Sequence, residues 1–445
     1  MRQTKFALAL LTAAVLTACG GTGSSGGDQT HAVKFSQQVS FGDSLSDVGT
    51  YAVGAVAAAG GGKFTINGSN TSANAAYTGL NWTEVLAAEL QLPAPCAAQT
   101  GLQGADNANP ALDFNVPIVN NAACFNYAQG GSRVTEKVGA GYPVQMTLPV
   151  VAQVQNHLAK TGGKFSGTEL VTIMAGGNDV LVQLGQLSAN ATAAGTKAGQ
   201  AAFPTLLIGG LVPLVSPSNL AIAQQTIGLE VQKAALAGGN QTAIAGAAVI
   251  AAVNLGASPT AAQAAAAKAG LDAAAAGAKA GADYAAQQGP IMVAAMGKAG
   301  VELAGIVKTE LVGKGAKYVI VNNLPDVAST PSGKKQSAEI QGLIKTMVDT
   351  FNAQLKSNLG DDPRILYVDL FSISRDQVSN PAIYGLTNTA VPACTSESSL
   401  TCTSKTLSGP DVSHYMFADD VHPTPYENWL VARYVLKDMA VKGWL

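Results

Sequence analysis

The chain has 445 residues, enough for one large domain or for a domain carrying an insertion. Lys and Arg total 26 against 28 Asp and Glu, and this net charge of −2 argues against a nucleic-acid binder, which needs a basic face to displace counterions. Charged residues are only 12% and apolar residues 47%, which excludes a disordered chain, and with aromatics at 6% the core has to come from Val, Leu, Ile and Ala.

The first segment reads as targeting. Arg2 and Lys5 form a basic start, and 6–18 is an apolar run too short to span a bilayer. It ends in Leu16-Thr17-Ala18-Cys19-Gly20, which resembles a bacterial lipobox. The expectation is a signal peptide over 1–18, lipidation of Cys19 and a flexible tether over 19–34 (GGTGSSGGDQT and its flanks), giving an extracytoplasmic protein anchored to the cell envelope, an outer membrane above all, or secreted. An ordinary signal peptide with an incidental Cys is the plainer alternative. After residue 20 no run of about 18 clean apolar residues is evident, so no spanning helix is expected there.

Four cysteines remain: Cys96, Cys124, Cys394 and Cys402. An even number outside the cytoplasm favours disulfides, and three connectivities exist. Cys96–Cys124 and Cys394–Cys402 are preferred because each pair flanks a Pro-, Asn- or Ser-rich loop. A metal site competes poorly: there is no CxxC, and no His lies close to any Cys.

Apolar runs at 38–41, 124–128, 170–174, 318–322 and 365–369 read as buried strands. Amphipathic helices are expected over 81–90, with Asn81 or Thr83 as cap, 149–158 and 338–355. The alternation implies an α/β fold, a three-layer sandwich around a parallel five-stranded sheet. It is interrupted at 185–300, where no strand is evident. Within 241–300, 26 of 60 residues are Ala, so the segment is expected to be a helical insertion. The domain proper is then 35–184 and 301–445. Residues 203–215 (FPTLLIGGLVPLV) read as a buried connector, with a lipid-facing lip as the alternative.

Four segments carry chemistry. Phe41-Gly42-Asp43-Ser44-Leu45 ends the first strand, where a Ser can present its hydroxyl and its own N–H beside an oxyanion; by itself, the tetrapeptide reads rather as a simple helix cap. Gly130-Gly131-Ser132 follows the second strand, where glycine lets a backbone N–H approach a substrate oxygen. Asn178 follows the third strand and offers an amide donor, although Asn and Gly are also common turn residues. Asp419-Asp420-Val421-His422-Pro423 lies near the C-terminus, and the three-residue spacing places a carboxylate on an imidazole, orienting it and stabilising its charged form.

Together these blocks resemble the GDSL/SGNH hydrolase superfamily over about 35–184 and 301–440, with Leu324-Pro325-Asp326-Val327 resembling its secreted bacterial lipase and esterase branch. The resemblance implies a flavodoxin-like SGNH fold, Ser44 as nucleophile, His422 as general base, Asp419 as the acid behind it, and an oxyanion hole from Ser44, Gly131 and Asn178, with Gly130 as an alternative to Gly131. It implies no metal or organic cofactor. One departure is Thr50, where this branch often has Asn; it bears on substrate contacts rather than on the reaction. Asp411 and His414 repeat the Asp-x-x-His spacing without the following Pro-Thr. Residues 23–27 satisfy G-x-S-x-G but follow no strand. His157 reads as structural, and His31 lies in the tether. The expected function is an ester hydrolase acting on fatty-acyl or short acyl esters, with acyl-ester or lipid substrate and membrane as partners, and no nucleic acid. A carbohydrate O-acetylesterase using the same residues and a non-catalytic surface lipoprotein are the alternatives. The insertion leaves the strand that delivers Asn178, so it is either a cap over the acyl site or a side appendage.

Overall fold

The computed structural model describes residues 33–68, 78–104, 114–139 and 147–445. The expected signal peptide at 1–18, Cys19, His31, the 23–27 pentapeptide and the tether up to residue 32 lie outside the described residues.

In chain order the elements are β1 (Gln38–Gly42), α1 (Trp82–Glu89), β2 (Gln99–Gly104), β3 (Phe114–Asn120), α2 (Val150–Lys160), β4 (Leu170–Met174) and α3 (Gly177–Leu211). They continue with α4 (Leu220–Leu236), α5 (Gln241–Asn254), α6 (Pro259–Ile306), β5 (Tyr318–Asn322), α7 (Ala338–Leu359), β6 (Ile365–Val368), α8 (Leu370–Ser379) and α9 (Pro425–Val441). The expected cap of α1 is Asn81. Its side chain accepts from Thr83 and Glu84 N–H while the Glu84 carboxylate accepts the Asn81 N–H, so two orphan donors of the first turn are satisfied reciprocally.

The parallel sheet has the order β1-β4-β5-β6, with Ser40 opposite Thr172, Thr172 opposite Ile320 and Ile320 opposite Leu366. The period of two sorts each strand onto two cores. Val39, Phe41, Val171, Ile173, Val319 and Val321 pack on one face beneath α2, α3, α6 and α7. Leu170, Met174, Ile320, Leu366 and Val368 pack on the other beneath α1 and α9. Both faces are covered, as a parallel sheet requires.

The expected fifth strand, and with it the flavodoxin-like five-stranded arrangement, needs correction. Residues 124–128 form no ladder. Asn126 makes single parallel bridges, to Ser40 on one side and to Ala97 on the other. Alternate residues of the segment serve the two sides: Ser40 N–H donates to Phe125 O at 3.0 Å, while Asn126 N–H donates to Cys96 O at 3.2 Å and Asn126 O accepts from Ala98 N–H at 2.7 Å. The segment therefore tracks the β1 edge without extending the sheet. An antiparallel hairpin of β2 and β3 was not foreseen. Both preferred disulfides are present, Cys96–Cys124 beside this edge and Cys394–Cys402 in the loop before α9.

The insertion is helical apart from the short turns that join its helices. Residues 185 and 300 both fall inside helices continuous with the sandwich. Val180 and Leu187 of α3 and Met296 and Leu303 of α6 belong to the sheet core, whereas the far parts of the two helices share a separate core with α4 and α5. At 1.5 Å per residue, α3 and α6 run roughly 50 and 70 Å. They approach through glycine: a Cβ on Gly277 would stand 2.7 Å from Gly195 O, and one on Gly195 2.8 Å from Gly277 O. Phe203, Leu207 and Leu211 are buried in the insertion's own core, so 203–211 is packed helix running through Gly209 and Gly210, buried as expected of 203–215 but not a connector there. Pro259–Lys314 is long and apolar enough, by length and composition, to cross a membrane, although Lys268, Asp272, Lys279, Asp283 and Lys298 leave no 18-residue run in it free of charge. Half of its most apolar window is buried within the fold, as in a core helix.

Candidate active site

β1 stops at Gly42, where φ is +150° and a Cβ would stand 2.3 Å from Met174 O of β4. Only glycine lets the two strands meet there. Gln153 of α2 grips the same peptide, accepting the Gly42 N–H and donating to its carbonyl, both at 2.8 Å. The next turn is closed by Asp43, whose carboxylate accepts the Leu45 N–H at 3.0 Å and whose carbonyl accepts the Ser46 N–H at 3.1 Å. Ser44 sits within this turn, 8% exposed.

His422 Nε2 lies 2.9 Å from Ser44 Oγ, and His422 Nδ1 lies 2.9 and 2.8 Å from the two carboxylate oxygens of Asp419. The histidine is held by a tight loop: Ala418 N–H donates to His422 O at 2.7 Å, and Phe417 bridges Pro423. The Phe64 ring rests against the imidazole with centroids 4.9 Å apart. Asp419 accepts three backbone N–H groups, from Val421, His422 and Ser399, at 3.0, 2.8 and 2.6 Å. Burial pushes its carboxyl up, but the facing imidazole and these donors outweigh burial and hold it well below the usual carboxylate range. Ser399 belongs to the loop closed by Cys394–Cys402, so that disulfide borders the site.

The oxyanion candidates lie on three separate segments. Gly130 N–H is engaged by Asp47 Oδ2 at 3.0 Å, while Gly131 N–H and Ser44 N–H donate to no group among the described residues. Of the two glycines left open by the sequence, Gly131 is the one with a free donor. Asn178 opens α3 and is 6% exposed; its Nδ2 spends one hydrogen on Ser132 O at 2.9 Å, which fixes the amide and leaves the second hydrogen for a ligand. Asp179 ties the same loop to α3 by accepting from Arg133 Nε and Val134 N–H at 2.9 and 3.1 Å.

Asp47, Gln153 and Asp179 were missed from the sequence. Each acts on a partner some 45 to 111 residues away, so no local spacing marks them. Asp47 also accepts from Gly49 and Thr50 N–H, at 2.8 and 2.7 Å; burial pushes its carboxyl up to about 6 and these donors restrain the rise. Burial likewise pushes Asp43 up to about 7 against the opposing Leu45 N–H and His422. Thr50, the departure noted above, spends its hydroxyl on Ala128 O at 3.1 Å. The competing Asp411 and His414 are not at Ser44: Asp411 accepts from Ser413, and His414 stacks on Tyr426 at 4.3 Å. His157 is fully buried among Phe41, Phe125, Tyr127 and Phe165, a core position.

An apolar cavity of about 80 Å³ is lined by Leu45, Trp82, Met174, Phe417, Val421 and Pro423 among others, but by neither Ser44 nor His422. No residue of 185–300 lines it.

No family model matches the chain. It is 28% identical to a GDSL esterase/lipase of Arabidopsis thaliana over 27% of this chain and 34% of that protein. A second Arabidopsis thaliana GDSL esterase/lipase is 23% identical over 32% of this chain and 43% of that protein. Esterase EstA of Pseudomonas aeruginosa is 30% identical over 27% of this chain and 19% of that protein. The chain thus spans less than half the length of these curated relatives. At low identity and partial coverage, the similarities support the GDSL superfamily and, with it, a hydrolase of esters.

Proposed function

We propose that the protein is a serine ester hydrolase of the secreted bacterial lipase and esterase branch, cleaving fatty-acyl or short acyl esters through an acyl-enzyme on Ser44. The observation that carries this reading is the unbroken relay from Ser44 Oγ through the His422 ring to the buried Asp419 carboxylate. Ser44 Oγ attacks the ester carbonyl as His422 Nε2 takes its proton. The carbonyl oxygen becomes an oxyanion facing the Ser44 and Gly131 N–H groups and the Asn178 amide. His422 then passes the proton to the leaving alkoxide, and the alcohol departs. Water, deprotonated by His422, attacks the acyl-enzyme, and the proton returns to Ser44 as the acid is released. Asp419 stays ionised and supports the imidazolium, consistent with its depressed pKa. Anchoring through Cys19 to the envelope is part of the same reading. A series of chromogenic acyl esters of graded chain length, with acetylated glycan as comparison, tests it: turnover of none, or of the glycan alone, rejects the substrate class.

Asn178→Ala should lower kcat by about 100- to 1000-fold, the scale for losing one oxyanion donor. A change confined to KM, measured on the same esters, would instead assign Asn178 to ground-state binding.

A side appendage suits the insertion better than a cap, because its far half packs on a core of its own, apart from the sheet. Ala191 and Gly281 face each other across α3 and α6, a Cβ on Gly281 coming 3.0 Å from Ala191 O. Replacing 193–279 by a short Gly/Ser turn should therefore preserve a folded hairpin and keep kcat/KM for a short ester within severalfold of wild type. A folded truncation with far lower activity would return the insertion to the active site.

A further inference from the structure

The peptide that joins Gly130 to Gly131 has two ends with different partners. Its N–H belongs to Gly131 and donates to no group among the described residues. Its carbonyl belongs to Gly130 and accepts from the Tyr51 hydroxyl at 2.6 Å. No other donor reaches that carbonyl among the described residues. The peptide is trans, so its N–H and carbonyl share one plane and point in opposite directions. Whatever fixes the carbonyl therefore aims the N–H.

A peptide between two glycines needs such an anchor. With no Cβ on either side, rotation of its plane meets little steric resistance, and Gly131 already takes a φ of +82°. The groups that hold Gly130 all come from the segment after Ser44. Asp47 Oδ2 accepts the Gly130 N–H at 3.0 Å, which fixes the preceding peptide. Two rings close on the Gly130 Cα: a Cβ there would stand 2.3 Å from Phe64 Cε2 and 2.8 Å from Tyr51 Cε2. The rings themselves meet edge to face, with centroids 5.9 Å apart. Burial, helped by the Asp47 carboxylate, pushes the Tyr51 phenol well above its usual range, so the hydroxyl stays protonated and remains a donor. A carbonyl that accepts a hydrogen bond also leaves the N–H of its own peptide a stronger donor, because linked bonds polarise one another.

We propose that Tyr51 is a positioning residue for the oxyanion site, its hydroxyl holding the Gly130 carbonyl so that the Gly131 N–H faces the developing oxyanion. The proposal rests on the ester-hydrolase reading, and the two are tested separately. Tyr51→Phe keeps the ring against Gly130 and removes one oxygen. Its kcat for p-nitrophenyl butyrate should fall about tenfold or more, short of the loss for a deleted donor because the N–H is loosened rather than removed. KM should stay within about twofold, since an interaction made in the transition state alone is lost, and Tm should stay within a few degrees of wild type. Butylboronic acid gives a second reading without turnover. Ser44 Oγ bonds to boron, its proton passes to His422, and the tetrahedral boronate turns its negative charge toward the same donors. Calorimetry should find its Kd raised by about the same factor in Tyr51→Phe. Tyr426→Phe, which loses a like bond to Tyr384 O, is the matched control and should stay near wild type in both measurements. Weaker boronate binding in Tyr51→Phe supports the proposal even if wild type hydrolyses no ester, an outcome that rejects the hydrolase reading alone. Unchanged kcat and boronate affinity in Tyr51→Phe, a loss confined to KM, or an equal loss in Tyr426→Phe overturns the proposal and leaves the hydrolase reading intact. Wild type that neither hydrolyses the ester nor binds the boronate overturns both.

Discussion

Alanine at position 44 is expected to reduce ester turnover by about 10⁶-fold, the scale on which losing a nucleophile disables a serine–histidine unit. The fold should be spared. The Ser44 hydroxyl has one described side-chain partner, His422 Nε2, and the turn that holds it is closed by Asp43 rather than by Ser44 itself. Removing that hydroxyl costs about 0.5–1.5 kcal/mol at most on the usual scale of a single hydrogen bond. Thermal unfolding of Ser44→Ala should therefore follow wild type within a few degrees. Mass spectrometry after a rapid quench with a slow ester should find the acyl group on wild type and none on the variant. Activity retained near the wild-type rate, once contaminating esterase is excluded, would remove the mechanism.

What the sequence revealed and what it hid divide by range. The strands at 38–42, 170–174, 318–322 and 365–368 were readable because each is a short, continuous apolar run. The segment 124–128 has the same look, but Asn126 N–H donates to Cys96 O, its carbonyl accepts from Ala98 N–H and its Nδ2 donates to Ser46 O, so only Phe125 O and Tyr127 N–H bond Ser40 of β1. A segment whose backbone bonds alternate between two edges makes bridges, not a ladder. The β2–β3 hairpin escaped because its strands carry Gly101, Gly104 and Pro117 in a polar context with little periodicity. In the site, Asp419 and His422 were legible because three residues of tight loop set their geometry. Ser44, Gly131 and Asn178 were legible because each directly follows an apolar run. Asp47, which engages the Gly130 N–H, was not: its partner is 83 residues away, and nothing in one sequence records that distance.

The two Asp-x-x-His pairs give the second large effect, and each serves as the other's control. His422→Ala should lose turnover on the scale of Ser44→Ala, because base and nucleophile act as one unit and the double variant should be scarcely worse than either single one. His414→Ala should keep kcat/KM within about threefold, the small residue of a surface change on the activity scale. The physical difference lies in what each ring touches. His422 reaches Ser44 Oγ with one nitrogen and Asp419 with the other, and the Phe64 ring and the Asp419 loop fix its plane. His414 stacks flat on Tyr426, whose hydroxyl donates to Tyr384 O at 2.7 Å, and Asp411 spends its carboxylate on Ser413. Its loss should register as a modest decrease in Tm with the kinetics intact. The Phe64 contact leaves a hole when the ring of His422 is removed, and added imidazole can occupy it. Partial recovery of His422→Ala by imidazole, with none for Ser44→Ala, would place the missing function in the ring itself. Comparable losses at both histidines would leave neither with a distinct role, and a loss confined to His414 would move the base to the other loop.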